Sequence, residues 1–236
     1  MGILRTAIFA LSGYVLFAAF RFIVGLMLPS LTSEFQLSPV ESGAFASAPL
    51  LSSILTTAAA GYISDRIGGR LTFTIGMLML WVGALLSSFS PNYLLALFFI
   101  FVAGAGAGFL PPCIYSIMGN LRPQSRGSII GITASTFNFG GFAGSLILGS
   151  MIALFGWRLG LGALSGLGLI YLPVMFLFMG SAPMLEKSKV GHKSSDTSYL
   201  VLLKSKNTVF AGASLFMATY ASFVITSWTP TYLVHV

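Results

Sequence analysis

Apolar residues dominate seven stretches of this chain, at about Thr6 to Leu31, Val40 to Ile63, Leu71 to Phe89, Tyr93 to Gly119, Ser128 to Phe155, Leu159 to Gly180 and Thr208 to Leu233. Each is long enough to cross a bilayer, because a helix rising about 1.5 Å per residue needs roughly 20 residues to span about 30 Å of hydrocarbon. Runs of this length exclude a β-barrel, whose strands alternate over about 10 residues. The pattern therefore predicts an all-α membrane protein. The connections after spans 1, 3 and 5 are short and hold turn residues: Ser33-Glu34 to Ser38-Pro39, Ser90-Pro91-Asn92, and Phe155-Gly156-Trp157-Arg158. Those after spans 2, 4 and 6 are basic. Arg5, Arg66, Arg70, Arg122, Arg126, Lys187, Lys189, Lys193, Lys204 and Lys206 fall on one side of the predicted membrane, Arg158 falls on the other, and Arg21 lies within it. Since basic loops resist translocation, the N-terminus is expected in the cytoplasm and the end of span 7 outside, in the plasma membrane of the cell.

Composition agrees with this picture. Of 236 residues, 56% are hydrophobic and only 7% charged, far from the ~25% charge of a soluble domain. The net charge of +7 does not indicate nucleic acid, because the basic residues stand between apolar spans and form no patch on a soluble surface. A lone cysteine, Cys113, permits neither a disulfide framework nor a zinc site from this chain, so no metal and no cofactor is expected. The first apolar run is too long for a signal-peptide core and reads as a retained helix. Residues 181–206 form the one long polar stretch, rich in Ser and Lys, and read as a cytoplasmic linker. The expected organisation is a six-helix transmembrane bundle over 1–181, a linker over 182–206, and a seventh helix over 207–236.

Between spans 2 and 3 stands a compact charged turn with Gly61, Asp65, Arg66, Gly68, Gly69 and Arg70 at fixed spacing. Glycines permit close helix approach and a sharp turn, an aspartate accepts hydrogen bonds from a helix start, and the arginines are able to pair with it or with lipid phosphate. A plain positive-inside loop needs basic residues but not this spacing of Gly, Asp and Gly. The segment resembles the loop between helices 2 and 3 of the major facilitator superfamily, departing from it where Gly69 replaces the first of two closing basic residues. Two weaker echoes follow in the same order as in that family: Arg122, Pro123, Arg126, Gly127 and Gly131 between spans 4 and 5, and Phe155 to Arg158 at the outer turn, where Trp157 suits the lipid–water boundary. The resemblance implies a secondary transporter of two six-helix halves joined by a cytoplasmic linker. On that expectation the chain is truncated, holding one half, the linker and helix 7, and a C-terminal helical bundle is its missing partner. The resemblance also implies that Asp65, with Gly61, Arg66, Gly68 and Arg70, forms a gating latch that does not touch substrate.

Arg21 is the one formal charge placed deep in a span, about 24 Å along the helix from Arg5, and an embedded charge calls for an internal partner. Tyr14, Arg21 and Leu28 recur every seven residues, which puts Tyr14 and Arg21 on one face. The segment Arg21 to Pro29, followed by Glu34 to Ser38 and Gly43, is similar to the first helix of the organic-anion branch of that superfamily, whose matching arginine contacts a carboxylate. A planar guanidinium suits that task, since its donor fork pairs with a carboxylate through two bonds. Phe20 stands where an acidic residue often precedes the arginine in that branch. Because helices 1, 4 and 7 line the cavity in the family, with helix 5 beside them, the expected substrate-binding residues are Arg21, Tyr14, Tyr115, Asn138 and Tyr220. The resemblance thus implies a small, carboxylate-bearing solute moved by alternating access.

Other chemistry finds little footing. Gly104-Ala-Gly106-Ala-Gly108 lacks the spacing and the strand of a dinucleotide loop, and its four-residue glycine separation, shared with Gly127/Gly131, Gly140/Gly144 and Gly162/Gly166, reads as helix packing. Ile100 occupies the position of an arginine found in many proton-coupled members, and span 5 has Gly140-Gly141 without the proline of drug/proton antiporters. A seven-helix receptor starts outside the cell, and its retinal-binding form needs a lysine that span 7 lacks. An enzyme is not expected, because His192 and His235 lie in the linker and at the chain end, remote from any nucleophile.

Overall fold

In the computed structural model the described residues are 2–121 and 123–178, together with a few helical residues between 209 and 221. They fall into two units, Met1–Leu185 and Glu186–Val236. The first holds six helices: α1 (Gly2–Phe35), α2 (Pro39–Ile67), α3 (Gly69–Ser88), α4 (Tyr93–Leu121), α5 (Arg126–Phe155) and α6 (Trp157–Phe178), with a 3-10 turn at Pro123–Ser125 before α5. All six are long and apolar enough to cross a membrane. The predicted linker, the basic residue Arg122 and most of span 7 lie outside the described residues.

Local chemistry sets the turns. Ser38 caps α2: its hydroxyl accepts from the Glu41 N–H at 3.3 Å while the Glu41 carboxylate accepts from the Ser38 N–H at 2.8 Å, and Pro39 supplies the first helical residue. Between α2 and α3 the chain reverses in one residue, Gly68, at φ 91°, and between α5 and α6 in Gly156, at φ 84°; both values favour glycine. Asn92 starts α4 by accepting from the Leu95 N–H at 2.9 Å.

The helices pack chiefly as α4 against α2 and α3, α1 against α5 and α6, and α3 against α6. Two of the predicted glycine pairs make this possible. A Cβ on Gly104 would lie 2.3 Å from Pro49 Cα and one on Gly108 2.4 Å from the Ser53 carbonyl, so α2 and α4 meet backbone to backbone. On α5, a Cβ on Gly140 would meet the Val15 carbonyl at 2.7 Å and one on Gly144 the Ala19 Cβ at 2.5 Å. The other two pairs behave differently. Gly127, Gly131 and Gly166 have open space within 4 Å, and Gly162 only touches Ser88 Oγ at 3.4 Å, so spacing alone overpredicts helix contact.

Polar side chains tie the bundle at both ends. At one end Arg158 pairs with Glu34 at 2.8 Å and donates to the Ser88 and Ser90 carbonyls at 2.9 and 2.8 Å, joining the ends of α1 and α3 to the start of α6. Trp157, expected at the lipid boundary, is instead 2% exposed and donates its indole N–H to Glu34 at 2.6 Å. The carboxylate wins because a buried indole N–H without an acceptor is costly. At the opposite end Arg5 lies 4.8 Å over the Phe178 ring and Phe9 stacks on the same ring at 5.3 Å.

Candidate functional site

A cavity of about 180 Å³ opens between α1, α2, α4 and α5. From α1 it is lined by Tyr14, Phe17 and Arg21, three and four residues apart and hence on one helical face. Ser53 and Thr57 of α2, also four apart, face them. Ala107, Gly108 and Pro111 of α4 and Phe137 of α5 complete the wall. The Tyr14, Phe17 and Phe137 rings pack on one another with centroids 5.4 to 5.8 Å apart.

Arg21 is half-buried and makes no hydrogen bond or ion pair among the described residues. The internal partner expected for it is therefore not found among the described residues, and the residue lines the cavity. The hydroxyls opposite are already engaged. Ser53 donates to the Leu50 carbonyl at 2.9 Å, and Thr57 donates to the Ser53 and Gly108 carbonyls at 2.7 and 3.0 Å. The second Thr57 bond has a cause in the sequence. Pro112 has no N–H to return to the Gly108 carbonyl four residues earlier, and the hydroxyl from α2 takes its place.

The remaining predicted site residues are dispersed. Tyr14 is 3% exposed and forms part of both core and cavity wall. Tyr115 stands behind it, edge-on at 6.4 Å, and is not among the lining residues. Asn138 lies off this cavity: it is exposed and its amide donates to the Ala134 carbonyl of its own helix at 3.1 Å, so its neighbour Phe137 holds the cavity position. Tyr220 belongs to the second unit, where it stacks on Phe216 at 6.3 Å. Sequence reasoning missed Phe17, Ser53, Thr57 and Phe137. Phe17 was within reach, since it shares the face defined by Tyr14 and Arg21; the others needed the helix pairing.

The charged turn also differs from expectation in detail. Gly61 has nothing within 4 Å of a built Cβ, so it admits no close neighbour within this bundle. Asp65 is exposed, makes no hydrogen bond or ion pair among the described residues, and does not cap α3, whose N-cap is Gly68 without a side-chain bond. Arg66 rests 4.3 Å over the Tyr62 ring. Arg70 lies 4.6 Å over the Phe176 ring and donates to the Phe176 carbonyl, placing a cation where the last carbonyls of α6 concentrate negative potential. Only Gly68 acts as the spacing predicts, as the turn itself. Among the described residues no group of three His, Cys, Asp or Glu could hold a metal.

The sequence profile of the Major Facilitator Superfamily matches residues 10–236. The chain belongs to the Major Facilitator Superfamily. Among its curated relatives is the hexuronate transporter of Bacillus subtilis, 27% identical over 91% of this chain and 52% of that protein. Another is the 4-hydroxybenzoate transporter PcaK of Pseudomonas aeruginosa, 27% identical over 66% of this chain and 35% of that protein. The chain spans about half the length of the first of these relatives and less of the second. A solved bacterial homologue of the human lysosomal transporter Spinster, inward-facing and unoccupied, superposes with a TM-score of 0.78 at 16% identity, over 99% of this chain and 56% of that one. That likeness carries the fold of this superfamily member and nothing finer.

Proposed function

We propose that this superfamily member forms the first half of a secondary transporter for a small organic anion, with Arg21 binding the anionic group by alternating access around the cavity it lines. One observation carries the reading: a guanidinium without a partner among the described residues lines a cavity inside a membrane bundle, where an unpaired charge is expensive and a ligand carboxylate would relieve it. Hexuronate and 4-hydroxybenzoate, named for two relatives, are both carboxylates. A second helical bundle completes the transporter, and the exposed face of α2 around Gly61 and Asp65 is the latch it meets. The N-terminus is cytoplasmic and the protein sits in the plasma membrane.

The test pairs this chain with a C-terminal bundle, either as its own continuation or supplied from a relative, and compares uptake of anionic and neutral solutes. Arg21→Ala and Arg21→Gln lower anion uptake roughly 10- to 100-fold, the loss of a charged hydrogen-bonding partner of about 1.5–3 kcal/mol, and Arg21→Lys retains part of it. Normal anion uptake by the Ala variant would make Arg21 structural.

A further inference from the structure

We propose that the Arg21 cavity selects a planar aromatic monocarboxylate bearing a ring hydroxyl over a polyhydroxylated sugar acid. This deepens the reading that Arg21 receives a carboxylate and rests on it. The first observation is the wall: Tyr14, Phe17 and Phe137 form one packed aromatic surface beside Arg21, suited to the face or edge of a flat ring. The second is the shortage of donors. Ser53 and Thr57 spend their hydroxyl protons on backbone carbonyls, so the several hydroxyl oxygens of a sugar acid would find few donors in this space, where Ser53 and Thr57 only accept. Each hydroxyl buried without a partner weakens binding roughly ten-fold. The third is an acceptor on α4. Pro111 and Pro112 remove the amides that would return to the Ala107 and Gly108 carbonyls. Thr57 serves Gly108, whereas the Ala107 carbonyl, from a residue lining the cavity, lacks its usual helical donor and would receive a ligand hydroxyl.

The experiment uses the 236-residue chain in lipid nanodiscs and measures equilibrium binding of radiolabelled 4-hydroxybenzoate, with benzoate, 3-hydroxybenzoate and glucuronate as competitors. The expected result is that one of the two hydroxybenzoates binds at least about 3-fold tighter than benzoate and glucuronate at least about 10-fold weaker. Phe137→Leu, which keeps apolar packing without the ring, lowers affinity for the aromatic acids and not for glucuronate. Pro111→Ala, which restores the amide to Ala107, removes the advantage of the hydroxyl while leaving benzoate affinity in place; an advantage that survives it overturns the role of that carbonyl. If glucuronate competes as well as the aromatic acids and Arg21→Gln abolishes both, the ligand class is wrong and the Arg21 reading stands. If the aromatic acids bind Arg21→Gln unchanged, the Arg21 reading itself fails. Binding of neither acid to the chain overturns both.

Discussion

Two arginines face opposite fates in this bundle, and their neighbours decide which. Arg158 meets a carboxylate and the Ser88 and Ser90 carbonyls, so its donors are consumed by structure; Arg21 shares a cavity wall with aromatic rings and with hydroxyls that donate elsewhere, and makes no hydrogen bond or ion pair among the described residues. Glu34 is the centre of the first group, accepting from Trp157 and Arg158 at once. Glu34→Gln keeps the shape but weakens both charge-assisted bonds, and a loss of about 1 kcal/mol follows for this partly exposed pair. The check is the thermal unfolding midpoint of the purified chain in detergent; an unchanged midpoint would mean that solvent already screens the cluster. Arg21 was legible in the sequence because a lone charge in an apolar run stands out. Glu34 was not, since its partners lie more than a hundred residues away and it reads as an ordinary loop acid.

Helix pairing distinguishes glycines that look alike in sequence. Gly104 and Gly131 each belong to a pair separated by four residues, yet a Cβ at the first strikes the Pro49 backbone and one at the second meets open space. Gly104→Ala forces α2 and α4 apart and costs on the order of 1–3 kcal/mol, as overpacking does. Gly131→Ala relieves a helix-interior glycine and is neutral or stabilising by up to about 1 kcal/mol. Unfolding of the two variants side by side checks this, and equal effects would sink the assignment of the α2–α4 contact. Thr57→Val tests the bond that replaces the missing Pro112 amide; removing an interhelical hydroxyl in a membrane bundle costs about 0.6 kcal/mol. The tandem prolines open a local gap in the α4 hydrogen-bond ladder. That α2 fills half of it was not legible in the sequence, because periodicity names a face without naming the helix opposite.

At the scale of the molecule, α2 presents Leu51, Ile54, Leu55 and Tyr62 outward, and Asp65 continues this exposed helix toward the turn. Asp65→Asn therefore leaves the unfolding midpoint of the chain unchanged within about 0.5 kcal/mol, since it breaks no hydrogen bond or ion pair among the described residues. In an assembly with a second bundle the same substitution lowers uptake; undiminished uptake would remove Asp65 from the latch. By itself the chain supports no solute accumulation in proteoliposomes, and accumulation there would show that one bundle suffices. Reporter fusions at the two ends check the orientation, with the N-terminal reporter active inside and the C-terminal one outside.

The sequence by itself determined what depends on near neighbours: six helices of membrane length, the one-residue reversal at Gly68, the Ser38 cap, and membership of a transporter superfamily through motif order. Hydropathy and backbone hydrogen bonding act over a few residues, so their marks are written locally. Tertiary structure alone decided that Trp157 turns inward to Glu34, that Arg70 serves the end of α6 in place of Asp65, and that Phe137 and not Asn138 reaches the cavity. Each of these is a choice among rotamers and partners made across helices far apart in the chain, and such choices are settled only when the backbones stand side by side.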